Sequence, residues 1–90
     1  ENGYAAENET TDDPNRITYL QAVLRQVYRA KQEGIPVKGY FIWTFLDNFE
    51  WAEGYRPQFG IVYVDRQTLE RRPKASALWY RDFLDGKAAI

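Results

Sequence analysis

The first regular pattern along the chain is a stripe of apolar residues at helical spacing. Its members recur every three or four positions and are Ile17, Leu20, Leu24 and Val27. This spacing places them on one face of a helix. Asp13 and Pro14 are typical of a helix start, with the Asp13 carboxylate as N-cap, and Gly34 followed by Pro36 is typical of a helix end. The sequence therefore predicts a helix between Pro14 and Gly34.

Two extended segments and a second helix follow. The run "VKGYFIWTF" is almost unbroken in apolar and aromatic residues, which is typical of a strand covered on both faces in a parallel sheet. The run "GIVYVD" is a second extended segment, richer in β-branched residues. The run "RPKASALWYRDFL" returns to helical spacing, with Leu78, Trp79 and Phe83 on one side. This order of elements predicts an α/β architecture.

The number of strands limits what the chain can form alone. A parallel strand needs hydrogen-bonding neighbours on both edges, and this chain offers only one other extended segment. We therefore interpret the 90 residues as one segment of a larger domain, with no internal boundary. We also expect an N-terminal segment that carries the other strands to accompany it.

The charge balance excludes several classes of partner. The chain has 12 basic and 13 acidic residues and a net charge of −1, so it has no field that would attract nucleic acid or an anionic membrane. No apolar run approaches membrane-spanning length. The absence of cysteine excludes disulfides and thiolate chemistry and leaves the redox compartment open. We expect neither nucleic acid nor a membrane as a partner, and no cofactor.

Aromatic rings and carboxylates are mixed in the stretch "GYFIWTFLDNFEWAEGY", from Gly39 to Tyr55. Rings are usually buried and carboxylates usually exposed, so this mixture is either core packing beside a polar loop or the wall of a pocket. The stretch "LDNFEWAEGYRPQ" contains turn-forming residues and is predicted to be a long loop. Asp47 and Asn48 lack the spacing and the central glycine of a calcium loop, so we expect them to make capping or loop hydrogen bonds.

Five motifs, taken in this order and at this spacing, are highly specific. They are "ENG" at the start, "R-x-x-YL", "GYF-x-W-x-x-LDNFEW-x-x-GY", "FGIVYVD" and "R-x-PK-x-SA-x-WY". Over nearly the whole chain, they resemble the C-terminal portion of family 1 glycoside hydrolases, the β-glucosidase family. The resemblance implies a (β/α)8 TIM barrel. This chain would supply the end of the seventh strand, the seventh helix, the eighth strand and the eighth helix.

The resemblance also implies roles for individual residues. Glu1 falls on the glutamate of the family's "ENG" motif, the nucleophile that forms a covalent glycosyl-enzyme in a retaining mechanism. The acid/base residue lies in an "NEP" motif far upstream and is absent here. Glu50 and Trp51 match the family's "FEW", which binds the non-reducing sugar. Trp43 would form the surface on which the sugar stacks, and Phe59 would line the same subsite.

A sugar suits such a wall, because rings cover its C–H face while carboxylates accept hydrogen bonds from its hydroxyls. Barrels of this type carry their active sites at the C-terminal ends of the strands. The chain is therefore expected to be part of a retaining β-glycosidase that acts on a β-glucoside or a related β-glycoside, and only when its N-terminal segment completes the barrel. Two other functions stay open: a sugar-binding module without catalysis, and a structural half-barrel fragment.

Several other polar residues have structural interpretations. Asn2, beside Glu1, is either an exposed loop amide or a support for the nucleophile. Arg16 and Tyr19, in "R-x-x-YL", are expected to anchor the first helix. Gln58 stands where the family often has arginine, and a neutral amide lacks the fixed charge and five donors of a guanidinium, so local ion pairing is expected to differ. A small basic cluster is expected to form a solvated turn before the last helix and consists of Arg71, Arg72 and Lys74.

Overall fold

Two helices and a short hairpin make up the regular structure of the protein, which we describe from a computed structural model covering residues 1–90. The first helix contacts the second, and the second also contacts the hairpin. The elements in chain order are helix α1 (Pro14–Gln32), a 3-10 turn (Trp51–Glu53), strand β1 (Val62–Val64), strand β2 (Arg71–Pro73) and helix α2 (Ala75–Leu84). No helix is both long enough and apolar enough to cross a membrane.

Helix α1 forms where its apolar stripe predicts, but the predicted N-cap hydrogen bond is wrong. The Asp13 side chain makes no hydrogen bond to the first turn of its own helix. Its carboxylate instead accepts hydrogen bonds from the Ser76 backbone N–H, at 2.9 Å, and from the Ser76 hydroxyl. Ser76 lies in the first turn of α2, where the Lys74 side chain provides no cap. Asp13 therefore satisfies unpaired donors of the second helix, and this joins the two helix starts.

The extended run before the loop differs from the predicted doubly covered strand. Residues 40–46, here called the aromatic segment, form only two isolated parallel bridges, Asn2 with Ile42 and Leu46 with Val62. Phe41 is 74% exposed, and Phe45 also lies open. The prediction of burial on both faces is wrong for this chain, because nothing in it covers these two rings.

The interior contains five polar or charged side chains beside four hydrophobic ones. Its buried apolar residues are Leu20, Leu24, Val62 and Val64. Its buried polar and charged residues are Asp13, Arg16, Asp47, Lys74 and Ser76. Large apolar side chains lie exposed along both helices and along the aromatic segment. Exposed apolar surface of this extent usually contacts other protein, which agrees with an incomplete domain.

Candidate active site

Backbone pairing with the aromatic segment positions Glu1. The Asn2 backbone N–H donates to the Phe41 carbonyl at 3.1 Å, and the Trp43 N–H donates to the Asn2 carbonyl at 2.9 Å. Side chains of directly paired residues point to the same face, and side chains of adjacent residues point to opposite faces. Because Asn2 is paired with Ile42, this alternation predicts that Glu1 lies on the same face as Phe41 and Trp43.

Gly3 allows the first residues of this chain to approach the aromatic segment this closely. A Cβ atom added at Gly3 would lie 2.1 Å from the Trp43 carbonyl oxygen and 3.3 Å from the Phe59 ring. No side chain tolerates the first of these distances, so the approach requires glycine. The glycine of "ENG" thereby brings the backbone after Glu1 into contact with Trp43 and Phe59.

Trp43 and Glu50 form the central contact of the candidate site. The Trp43 indole N–H points to both carboxylate oxygens of Glu50, at 3.2 and 3.3 Å. A carboxylate has about four acceptor positions, so the Glu50 oxygens can still accept hydrogen bonds from ligand hydroxyls. Trp43 remains 38% exposed, and its bond to Glu50 occupies the ring edge rather than the ring face. This arrangement can bind a ligand that has both a flat apolar face and adjacent hydroxyls.

Trp51 and Phe59, the other two predicted sugar contacts, have different surroundings. Trp51 begins the 3-10 turn with φ of 50° and is 83% exposed. The Phe59 carbonyl accepts a hydrogen bond from the Thr44 N–H at 3.0 Å, which ties it to the aromatic segment. Its ring lines a shallow concavity of about 410 Å³ with Ala5, Ala6, Glu7, Glu53, Arg56 and Pro57.

The predicted sugar-contacting residues lie on an open surface of this chain. None of its four concavities is lined by Glu1, Trp43, Glu50 or Trp51. No group of His, Cys, Asp or Glu side chains is arranged to hold a metal ion. The surface therefore offers rings and hydrogen-bonding groups that this chain does not enclose.

A buried ion-pair network lies beneath the loops of the site and was not predicted. Lys74 is fully buried, and its ammonium lies 2.7 Å from Glu9 Oε1 and 2.9 Å from Asp47 Oδ1. The prediction of a solvated turn is therefore wrong for Lys74, because two carboxylates from distant loops surround it. Arg71 and Arg72 are exposed as predicted, but they lie in strand β2 and not in a turn.

Asp47 connects this network to the loop that carries Glu50. Its carboxylate also accepts hydrogen bonds from the Gly60 N–H at 2.9 Å and the Gln58 amide at 3.1 Å. Asn48 donates to the Leu46 carbonyl at 3.2 Å. The prediction that Asp47 and Asn48 make loop hydrogen bonds is confirmed.

Gln58 uses both the donor and the acceptor of its side-chain amide. It exchanges two hydrogen bonds of 2.7 Å with the backbone of Glu9. It also donates to Asp47. A side-chain amide can pair with a peptide group because it has both a donor and an acceptor, whereas a guanidinium has donors only.

Arg16 links the start of α1 to the loop that contains Tyr4 and Glu9 and to the loop that contains Gln58. It is 1% exposed and forms ion pairs with Asp13, at 2.7 Å, and with Glu9. It also donates to the backbone carbonyls of Tyr4 at 3.1 Å and Gln58 at 2.8 Å. The prediction that Arg16 anchors the helix is confirmed. Asp13 lies at i, i+3 spacing from Arg16, whereas no spacing in the sequence indicates the contacts with Tyr4, Glu9 and Gln58.

Comparison with known proteins places this geometry in one family. A family model described as glycosyl hydrolase family 1 matches residues 1–88. Beta-glucosidase A of Thermotoga maritima is 54% identical over 85 residues, which cover 89% of this chain. Beta-glucosidase 42 of Arabidopsis thaliana is 46% identical over 87 residues, which cover 96% of this chain.

Solved structures agree with the sequence relatives. The beta-glucosidase from Thermotoga maritima in complex with glucoimidazole superimposes with a TM-score of 0.92 at 47% identity. The match covers 99% of this chain and 21% of that structure, which is a TIM-barrel protein. The chain spans about a fifth of the length of its relatives: 19% of the Thermotoga maritima protein and 18% of the Arabidopsis thaliana protein. It is therefore a small piece of such a barrel.

Proposed function

Because the chain belongs to glycosyl hydrolase family 1, we propose that it is the C-terminal part of a retaining β-glycosidase. The proposed segment comprises the end of the seventh barrel strand, the seventh helix, the eighth strand and the eighth helix. The substrate is a terminal β-glucoside or a related β-glycoside, in keeping with the names of the relatives. An N-terminal segment supplies the remaining strands and covers the exposed face of the aromatic segment.

One observation carries the proposal. Trp43 donates to Glu50 while its own backbone pairs with Asn2, the residue directly after Glu1. The proposed nucleophile and the proposed sugar-binding carboxylate are thereby linked through a single tryptophan. In this arrangement the sugar ring stacks on Trp43, and Glu50 accepts hydrogen bonds from adjacent hydroxyls.

The proposed reaction follows from these positions. The Glu1 carboxylate attacks the anomeric carbon, and the bond to the aglycone oxygen breaks as an acid from the N-terminal segment protonates that oxygen. The same acid, now a base, takes a proton from water, which hydrolyses the glycosyl-enzyme with retention. This mechanism requires the second carboxyl group about 5–5.5 Å from Glu1. The Trp51 indole N–H is free to donate to a further hydroxyl of the sugar.

The test uses a completed barrel, in which this chain replaces the matching residues of Thermotoga maritima beta-glucosidase A. We expect it to hydrolyse an aryl β-glucoside, with the β-anomer formed first by NMR. Glu1→Gln should abolish turnover while sugar still binds, because an amide is not a competent nucleophile. Glu33→Gln, an exposed carboxylate at the end of α1, is the matched control and should keep full activity.

Each other outcome selects a different function. Turnover that survives Glu1→Gln would remove Glu1 from the mechanism. Glucose binding without turnover in either form would indicate a sugar-binding module. If glucose changes neither the tryptophan fluorescence nor the melting temperature of the folded barrel, the chain is a structural segment.

A further inference from the structure

Two tyrosine hydroxyls hold the side-chain amide of Asn2. Its Nδ2 donates to the Tyr19 hydroxyl at 2.7 Å, and its Oδ1 accepts from the Tyr40 hydroxyl at 2.8 Å. Tyr19 comes from α1, and Tyr40 comes from the aromatic segment. We propose that Tyr19 and Tyr40 are positioning residues that orient Glu1 through the side chain of Asn2. This inference rests on the proposed function of Glu1 as nucleophile.

Four hydrogen bonds fix Asn2 from two directions. Its backbone N–H and carbonyl pair with Phe41 and Trp43, and its side chain pairs with the two tyrosines. The planar peptide bond between Glu1 and Asn2 transmits this constraint to the Glu1 backbone. Backbone pairing alone allows the extended backbone at Glu1 and Asn2 to rotate about its long axis, whereas the two side-chain bonds of Asn2 oppose that rotation. The direction of the Glu1 carboxylate therefore depends on the tyrosines.

The tyrosines do not belong to the sugar-contacting face. The Asn2 side chain points to the face opposite Glu1 and Trp43, since adjacent residues alternate. Tyr19 and Tyr40 meet Asn2 on that opposite face. Neither tyrosine forms a hydrogen bond or a ring pair with Trp43 or Glu50, so their proposed effect on Glu1 runs through Asn2.

Both tyrosines are themselves held in place. The Tyr19 ring packs against Tyr4 at 5.5 Å between centroids. Burial, with smaller contributions from Tyr19 and Tyr80, raises the pKa of Tyr40 to about 12. Tyr40 therefore keeps its proton and remains a donor to Asn2 at neutral pH. The group between the two hydroxyls must donate to Tyr19 and accept from Tyr40. A side-chain amide can do both.

The experiment is a double-mutant cycle in the completed barrel. Tyr40→Phe and Tyr19→Phe each remove one hydroxyl, and Asn2→Ala removes the amide that both contact. Each single change should lower kcat by about 5-fold to 100-fold, because a small misplacement of a reacting group costs rates of this order. KM should change less than about twofold, since no sugar contact is altered. In the Asn2→Ala background, either tyrosine change should have almost no further effect on kcat.

Tyr28→Phe is the matched control. Tyr28 also lies on α1, is 59% exposed, and forms no hydrogen bond or ring pair with Asn2, Tyr19 or Tyr40. Its kcat should equal that of the parent. Circular dichroism and thermal unfolding identify any variant that does not fold, in which case the other tyrosine completes the cycle.

Three results would overturn the inference. One is an unchanged kcat in both folded tyrosine variants. The second is an equal loss of kcat with and without Asn2, which would mean that the tyrosines act on the fold and not through the amide. The third is a rise in KM with unchanged kcat. If Glu1→Gln keeps full activity, the proposed function itself fails. If Glu1→Gln is inactive while the tyrosine variants equal the parent, only the positioning role fails.

Discussion

Replacing Lys74 by methionine tests the buried ion-pair network most directly. The substitution keeps an unbranched side chain of similar length and removes only the ammonium group. Lys74 is fully buried and contacts Glu9 and Asp47, whereas Arg16 contacts Glu9 and Asp13. Glu9 would therefore keep a cationic partner after the change. Asp47 would keep none.

The size of the effect follows from what remains around Asp47. Removing one member of a buried ion pair costs about 3–5 kcal/mol, because the other charge is left without a partner. The Gly60 N–H and the Gln58 amide still donate to the Asp47 carboxylate. These neutral donors offset part of the loss, so we expect destabilisation near the lower end, about 3 kcal/mol.

Urea unfolding of the completed barrel, followed by tryptophan fluorescence, measures this loss. Arg71→Met is the matched control, because Arg71 lies three residues earlier, is exposed and has no carboxylate partner. It should change the free energy of unfolding by no more than about 0.5 kcal/mol. Adding Asp47→Asn to Lys74→Met should recover part of the loss, since it removes the stranded charge. If Lys74→Met costs no more than Arg71→Met, the buried network does not stabilise the fold.

Three further predictions concern the candidate site. Trp43→Phe removes the N–H donor to Glu50 and should lower kcat/KM of the completed barrel for an aryl β-glucoside by about tenfold, as for one hydrogen bond to a charged group; an unchanged kcat/KM would exclude the contact from sugar binding. Gly3→Ala should destabilise the barrel in thermal unfolding by about 1–3 kcal/mol, because its Cβ would overlap the Trp43 carbonyl. In the control Gly39→Ala the new Cβ meets nothing closer than 3.8 Å and should be tolerated. Equal melting temperatures of the two variants would contradict the close approach. Because the pKa of Tyr40 is raised to about 12 in the folded state from 10.0, the unfolded state binds fewer protons above pH 10.0, so stability should fall as pH rises from 10.0 towards about 12. That loss should be smaller in Tyr40→Phe, as followed by unfolding and by tyrosinate absorbance, and identical slopes in both proteins would refute the shift.

The sequence was sufficient for the features that depend on local patterns. The apolar stripe and the Pro14 and Gly34 signals predicted α1, because helical periodicity and terminal residues act within one segment. The ordered motifs predicted membership of the glycoside hydrolase family, which the family model and the relatives confirm. The need for more polypeptide stays a prediction, as do the roles of Glu1, Trp43, Glu50, Trp51 and Phe59.

Tertiary structure alone decided where charged residues lie. Lys74 looked like part of a solvated cluster and Asp13 like the cap of its own helix, yet both are buried and bonded to distant residues. Nothing local marks such partners, because Glu9, Asp47 and Ser76 come from segments far apart in the chain. Whether a charge is solvated or paired depends on which segments meet around it, and that is fixed only when the chain folds. The same reason explains Asn2, which looks like an ordinary loop amide until α1 and the aromatic segment each bring a tyrosine hydroxyl to it.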